Sequence, residues 1–263
     1  MTVETAAPAD DEMPREIPVD TVTIHDVTFD ETVAFAIKWA RDGSGGYICT
    51  PNVDHIVRAR RDATFRQLMM RGRLRVPDGM GVVYGSHITA TPFRGTVTGR
   101  LLPEAIIERS KPDVPTMALI GGRLDAPAKA SARLTEAGGK IVAAFGPTMG
   151  FEIGGAEDLE IVERLKETQP QMVLVGFGAP KQERWMAAHT ADLPHAVMLG
   201  IGQTIDVLGG YTTPAPMWMT KVGLEWFYRV LKSPIKHGKR MFIDDPRYFW
   251  WMIQQRLRGP RKA

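Results

Sequence analysis

Asp78 is the first residue whose type and place suggest chemistry. It lies in RLRVPDGMGVVYG, Arg73 to Gly85, directly after a short strand read from Leu74 and Val76 and ended by Pro77. Ligands of open α/β sheets bind outside the carboxyl ends of the strands, so an acid at that point is a candidate catalytic group. It is equally a candidate helix cap or turn former, because Asp is favoured in both places. Thr50 and Asn52 close a second expected strand, Tyr47 to Thr50, and should face the same crevice, although a cap and a buried hydroxyl would explain them too. His55 reads as an ordinary helix residue.

Three glycine-opened turns share that edge. In GFGAPKQERW, Gly176 and Gly178 end a strand, Pro180 takes the first helical position, and Lys181 and Gln182 fall on the first turn. Free backbone N–H groups beside a lysine suit a diphosphate. Gly200, Gly202 and Gln203 in GIGQTIDVLGG form a second such turn, and Gly121-Gly122 a third. Together they point to a nucleotide-like ligand. The loop is neither a Walker sequence nor a dinucleotide fingerprint, since Lys181 replaces the third glycine. No paired carboxylates with Mg²⁺ spacing stand out, so no metal is expected, and a departing diphosphate would need Lys and Arg instead. No cofactor is implied. Cys49 is the single cysteine, which rules out an intramolecular disulfide and fits a reducing compartment.

These residues must be positioned by elements that alternate regularly. A strand from Val19 and a helix capped by Asp30 are followed by the Tyr47 strand and two short helices. After the Asp78 strand and a helix at Arg100 to Arg109 come strands Thr116–Ile120, Lys140–Phe145, Met172–Val175 and Ala196–Gly200, each followed by a helix. That rhythm predicts an α/β, Rossmann-like, mostly parallel sheet flanked by helices over 18–210. Residues 1–17 read as a disordered acidic leader.

The charge is uneven. Residues 1–20 carry six acids against Arg15, whereas 221–263 carry eleven Lys and Arg against three acids. The stretch 211–263 is also rich in aromatics, including Trp218, Trp226, Trp250 and Trp251, and predicts a helical basic and aromatic appendage. Rings beside cations suit a membrane surface, where rings meet the headgroup boundary and charges meet phosphates. No apolar run approaches the roughly 20 residues of a membrane span, and no secretory signal is read at the start. Nucleic acid ranks lowest as a partner because no such module is visible. Tail aromatics could pair subunits, so a homo-oligomer is compatible with the pattern.

TPN at 50–52, VPDGMGVV at 76–83, VGFGAPKQERW at 175–185, GIGQTIDVLGG at 200–210 and APMWMTKVGLEWFYRVLKSP at 215–234 occur in the order seen in the WecG/TagA/CpsF glycosyltransferase family, which the chain resembles from about Val19 to Phe242. The resemblance implies an inverting, metal-independent hexosyltransferase. It would move a sugar, of N-acetylmannosamine, N-acetylmannosaminuronic acid or glucose type, from a UDP-sugar to a saccharide on polyprenyl diphosphate. The setting is cell-surface or exopolysaccharide synthesis at the cytoplasmic face of the membrane. Asp78 then matches the general base, and Thr50, Asn52 and Gln182 match substrate contacts. Arg229 matches an arginine of the appendage, with Lys236, Lys239 and Arg240 standing where relatives commonly carry arginines. The segment from Asp244 onward is not accounted for. A dinucleotide-dependent oxidoreductase and a non-catalytic, membrane-associated nucleotide-binding protein are the alternatives.

Overall fold

The computed structural model describes residues 13–123, 125–148, 150–216, 219, 228 and 244–259. Strands β1 (Glu16–Val19) and β2 (Val22–His25) form an antiparallel hairpin. The alternation starting at Val19 had suggested one strand. The chain instead reverses at Asp20, a non-glycine residue with φ +56°, and a turn without glycine carries little signal in sequence. Glu16 and Ile17, assigned to the leader from composition, are therefore strand residues.

Helix α1 (Phe29–Asp42) is capped by Thr28, not Asp30. Thr28 accepts from the Glu31 N–H while the Glu31 side chain accepts from the Thr28 N–H, a reciprocal capping box. There follow β3 (Gly46–Cys49), α2 (Val53–Arg61), α3 (Ala63–Met70), β4 (Leu74–Arg75) and α4 (Met80–Ile88). A 3₁₀ turn at Gly99–Leu101 leads into α5 (Leu102–Ser110), so the helix expected from Arg100 begins as a tighter coil. Then come β5 (Thr116–Gly121), α6 (Ala126–Glu136), β6 (Lys140–Phe145), α7 (Ala156–Thr168), β7 (Met172–Gly176), α8 (Lys181–His189), β8 (Val197–Gly200) and α9 (Thr204–Leu208). Within the expected helical appendage, residues 217–243 lie outside the described residues apart from Met219 and Tyr228. Helix α10 (Asp245–Arg258) follows.

Strands β3 to β8 form one sheet in the order β4-β3-β8-β7-β5-β6, and every pairing is parallel. Such sheets need apolar cover on both faces, and two buried clusters supply it. One gathers residues of α2, α3, α7, α8 and α10 with the hairpin; the other gathers residues of α1, α5, α6 and α9. Thus α2, leaving β3, and α9, leaving β8, pack on opposite faces although their strands are neighbours. The two connections leaving these strands part there, and a crevice opens at the carboxyl ends, as the switch-point rule requires.

Helix α10 is an integral part of this body. Tyr248 and Met252 are buried, Gln255 donates to Pro18 O and accepts from the Asp20 N–H, and Arg61 pairs with Asp244 at 2.9 Å. Gly85 on α4 is required for that docking, because a Cβ there would lie 2.6 Å from Tyr248 Cζ. The hairpin is fastened to β4 by Arg75, which donates to Thr23 O, Gly72 O and Glu16, while its own N–H is accepted by His25 Nδ1 at 3.0 Å.

Gly85→Ala is expected to cost about 1–3 kcal/mol through overpacking against Tyr248, read in urea unfolding; an unchanged midpoint would mean that α10 does not rest on α4. A second expectation concerns acid. Burial, with the adjacent Arg75 charge, pushes His25 down to about 4. The unfolded chain therefore takes up a proton that the native state refuses. Stability should be full above about pH 6.5 and fall by up to about 3 kcal/mol as pH drops toward 4. Urea titrations at several pH values, compared with His25→Gln, would show that slope flattened in the variant.

Candidate active site

The loops leaving β3, β4, β7 and β8 converge on a cleft of about 710 Å³. Of the residues picked out from the sequence, Thr50, Asn52, Asp78, Gly178, Gln182, Gly202 and Gln203 line it, and Gly176 does not. Gly176 is constrained by packing instead: a Cβ there would fall 2.7 Å from Ile205 Cδ1. Gly178 and Gly202 have φ of +73° and +54° with open space where a Cβ would project, so these turns need glycine for backbone conformation. Arg229, Lys236, Lys239 and Arg240 lie outside the described residues. From the C-terminal part, Ala215 and Tyr228 reach the cleft wall.

Asp78 is carried to Thr50 and Asn52 by backbone bonds that continue the sheet beyond its strands. The Val76 N–H donates to Cys49 O at 2.9 Å, and the Asp78 N–H donates to Pro51 O at 3.0 Å. The next loop is drawn in by the Val97 N–H, which donates to Pro77 O at 2.7 Å. Thr50 Oγ1 donates to Gly200 O at 3.0 Å and so links the β3 and β8 loops. Asp78 is not the cap of α4: that position is Gly79, with no side-chain cap, and the Gly79 N–H donates to Thr96 Oγ1 at 2.8 Å. Asn52 is a cap, its Oδ1 accepting from the N–H groups of Asp54 and His55.

Behind the cleft wall stands Glu183, 0% exposed. Gln182 Nε2 donates to its Oε1 at 2.8 Å, and His55 Nε2 lies 3.3 Å from the same oxygen. Burial pushes the Glu183 carboxyl up, yet the hydrogen bonds and charge it shares with His55, aided by Gln182, outweigh burial and hold it below the usual range. Cys49 is driven the other way by burial and by the Glu183 charge, so its thiol stays protonated and is no nucleophile.

Two cleft cations escaped the sequence reading. Arg100, on the 3₁₀ turn, and Arg123, in the loop after β5, both line the wall, and isolated arginines have no spacing that would single them out. Arg123 is engaged, its N–H donating to Asp206 Oδ1 at 2.8 Å and its guanidinium facing Asp206 Oδ2 at 3.4 Å. Among the described residues Arg100 makes no hydrogen bond or ion pair. Lys181, expected to face a diphosphate, turns away: its Nζ donates to Phe151 O at 2.6 Å and stacks on the Phe151 ring. His55, read as a plain helix residue, lines the cleft.

A doubly covered parallel sheet with an acid, amides and arginines gathered at its strand ends defines an α/β enzyme whose cleft suits a phosphorylated substrate. The model of the glycosyl transferase WecG/TagA/CpsF family matches residues 17–262. The chain belongs to that family and is a glycosyltransferase. It is 26% identical over 212 residues to the N-acetylglucosaminyldiphosphoundecaprenol N-acetyl-beta-D-mannosaminyltransferase of Bacillus subtilis strain 168, covering 80% of each chain. To the protein of the same description in Staphylococcus aureus strain MW2 it is 28% identical over 217 residues, covering 82% of this chain and 83% of the relative.

Arg100→Ala is expected to weaken binding of a nucleoside diphosphate at least about tenfold, the loss of one charge-assisted contact, with the melting temperature unchanged. Isothermal titration decides; equal affinities would take Arg100 out of the site.

Proposed function

We propose that this glycosyltransferase moves N-acetylmannosamine from its UDP-sugar to a saccharide carried on polyprenyl diphosphate, with inversion and without a metal, in cell-surface polysaccharide synthesis. The observation that carries the reading is the placing of Asp78 beside Thr50 and Asn52 in a cleft that Arg100 and Arg123 also line. In a single displacement the Asp78 carboxylate takes the proton of the acceptor hydroxyl, and that oxygen attacks the donor's anomeric carbon. The bond from that carbon to the β-phosphate oxygen breaks as the new bond forms, so the configuration inverts and UDP leaves with the electron pair. Arginines aimed at the phosphates can stabilise the charge that grows on the leaving group, the part a metal plays elsewhere. Among the described residues no group of three His, Cys, Asp or Glu is arranged to hold a metal. The sugar and the acceptor are taken from what the two relatives are named for.

The lipid-linked acceptor brings the enzyme to a membrane surface, and α10 supports a peripheral contact. Trp250 (57% exposed), Ile253 and Leu257 (78% exposed) share its outer face, while Tyr248 and Met252 are buried on the other. Exposed Arg247, Arg256 and Arg258 flank that stripe. Rings and aliphatic groups bordered by cations match the boundary of an anionic bilayer. No described helix is long and apolar enough to cross one. Arg229, Lys236, Lys239 and Arg240 are proposed to add to the cationic lining when the tail meets substrate.

Asp78→Asn should fold as the wild type and lose about 10²- to 10⁴-fold in transfer, the usual worth of a general base. UDP release is scored with UDP-N-acetylmannosamine, its uronic acid counterpart and UDP-glucose, with and without a polyprenyl-diphosphate-linked N-acetylglucosamine acceptor. Turnover by Asp78→Asn at the wild-type rate would remove Asp78 from the mechanism. Trp250→Ala combined with Leu257→Ala should reduce sedimentation with phosphatidylglycerol vesicles severalfold; undiminished binding would place the membrane contact elsewhere.

A further inference from the structure

We propose that Glu183 is a positioning residue whose buried carboxylate, acting through Gln182 and His55, fixes two amides so that each offers N–H to the cleft. Four contacts define the arrangement. Gln182 Nε2 spends one N–H on Glu183 Oε1 at 2.8 Å, while Gln182 Oε1 accepts from the Gly202 N–H at 3.1 Å. The orientation of that amide is thereby set, and its second N–H is left for the cleft that Gln182 lines. On the other side His55 stands between Glu183 and Asn52, with Nε2 3.3 Å from Glu183 Oε1 but without a hydrogen bond there, and with Nδ1 3.4 Å from the Asn52 N–H that it accepts and 3.0 Å from Asn52 Oδ1. Asn52 Oδ1 already accepts from two backbone N–H groups of α2, so oxygen points to the helix and the amino group remains for the cleft.

A carboxylate with no exposure is costly to bury and is retained when donors compensate it or when its place serves a function. Here the compensation is incomplete, because Glu183 Oε2 has no hydrogen-bond partner. A group placed for stability alone would satisfy both oxygens. Gln182 and Asn52 come from different loops, those after β7 and β3, and Glu183 faces the first directly and the second by way of His55. The two amides are thus held as donors, suited to the oxygen atoms of a sugar or a phosphate.

The test is Glu183→Gln, which keeps the volume and removes the charge, with the full chain used throughout. Its activity arm rests on the transfer reaction proposed above; its spectroscopic arm does not. In side-chain amide ¹H–¹⁵N spectra, assigned by loss of signals in Asn52→Ala and Gln182→Ala, both resonances should move in Glu183→Gln. His55→Gln, which cuts one arm only, should move the Asn52 resonance and spare that of Gln182. Transfer by Glu183→Gln should fall at least tenfold in kcat with KM for the donor within about twofold, while its melting temperature stays level or rises. Asn52→Ala with Glu183→Gln should be little slower than the worse single variant. Amide resonances unmoved in both variants, wild-type kcat in Glu183→Gln, or losses that multiply in the double variant would overturn the proposal. If the wild type transfers no sugar, the reaction assigned above fails, and the amide spectra still decide the part played by Glu183.

Discussion

One hydrogen bond sets the geometry of the cleft: the Asp78 N–H donates to Pro51 O at 3.0 Å. β4 is only two residues long, and its ladder with β3 is short. Backbone bonds beyond the strands' ends extend that pairing by one step at Val76 and one at Asp78, and so keep the two loops in register. Without them Asp78 and the Thr50 to Asn52 turn would be separate surface loops. Backbone placement is stiff compared with a side-chain tether, so an acid fixed this way keeps its place beside the Thr50 to Asn52 turn in the free protein. Thr50 Oγ1, donating to Gly200 O, ties the third loop to the same frame.

The frame sits where it does because neighbouring strands send their helices to opposite faces. α2 and α8 lie with one apolar cluster, α9 and α6 with the other, and β3, β8 and β7 run side by side between them. The glycines at this junction serve two different needs. Gly176 and Gly122 leave no room for a Cβ because Ile205 of α9 packs there, behind the cleft. Gly178 and Gly202 have open space above them and positive φ, and they shape the rim. Sequence reading put Gly176 and Gly178 together as phosphate-facing residues; coordinates separate them by what a side chain would meet.

Much of the sheet was legible because buried parallel strands are short apolar runs bounded by glycine, and the alternation with helices is regular from Thr116 onward. The expected range of β6 coincides with the observed one. The hairpin was not legible, since Asp20 reverses the chain with no glycine to mark it. Nor was the cap of α1: Thr28 and Asp30 are both good caps by type, and only the reciprocal bond with Glu31 chooses between them. At the cleft, residues adjacent to strand ends could be picked out by position. Arg100, Arg123 and His55 could not, because what brings them there is the tertiary path of loops and a helix face. Lys181 shows the converse: its position in sequence was right for a phosphate, but a carbonyl and an aromatic ring take it first.

A side chain can serve a substrate only with the hydrogen-bonding capacity that the protein's own backbone and neighbours leave over. Thr96 accepts from the Gly79 N–H and donates to Pro77 O, which ties the loop after α4 to the start of that helix. Asn52 is split, with its oxygen committed to α2 and its nitrogen left to the cleft. Arg123 is largely committed to Asp206, whereas Arg100, on the 3₁₀ turn before α5, has no such tie among the described residues. Residue type and position in the chain propose the candidates for chemistry. It is the second partner, a threonine here and a carbonyl there, that determines which of them the fold leaves available.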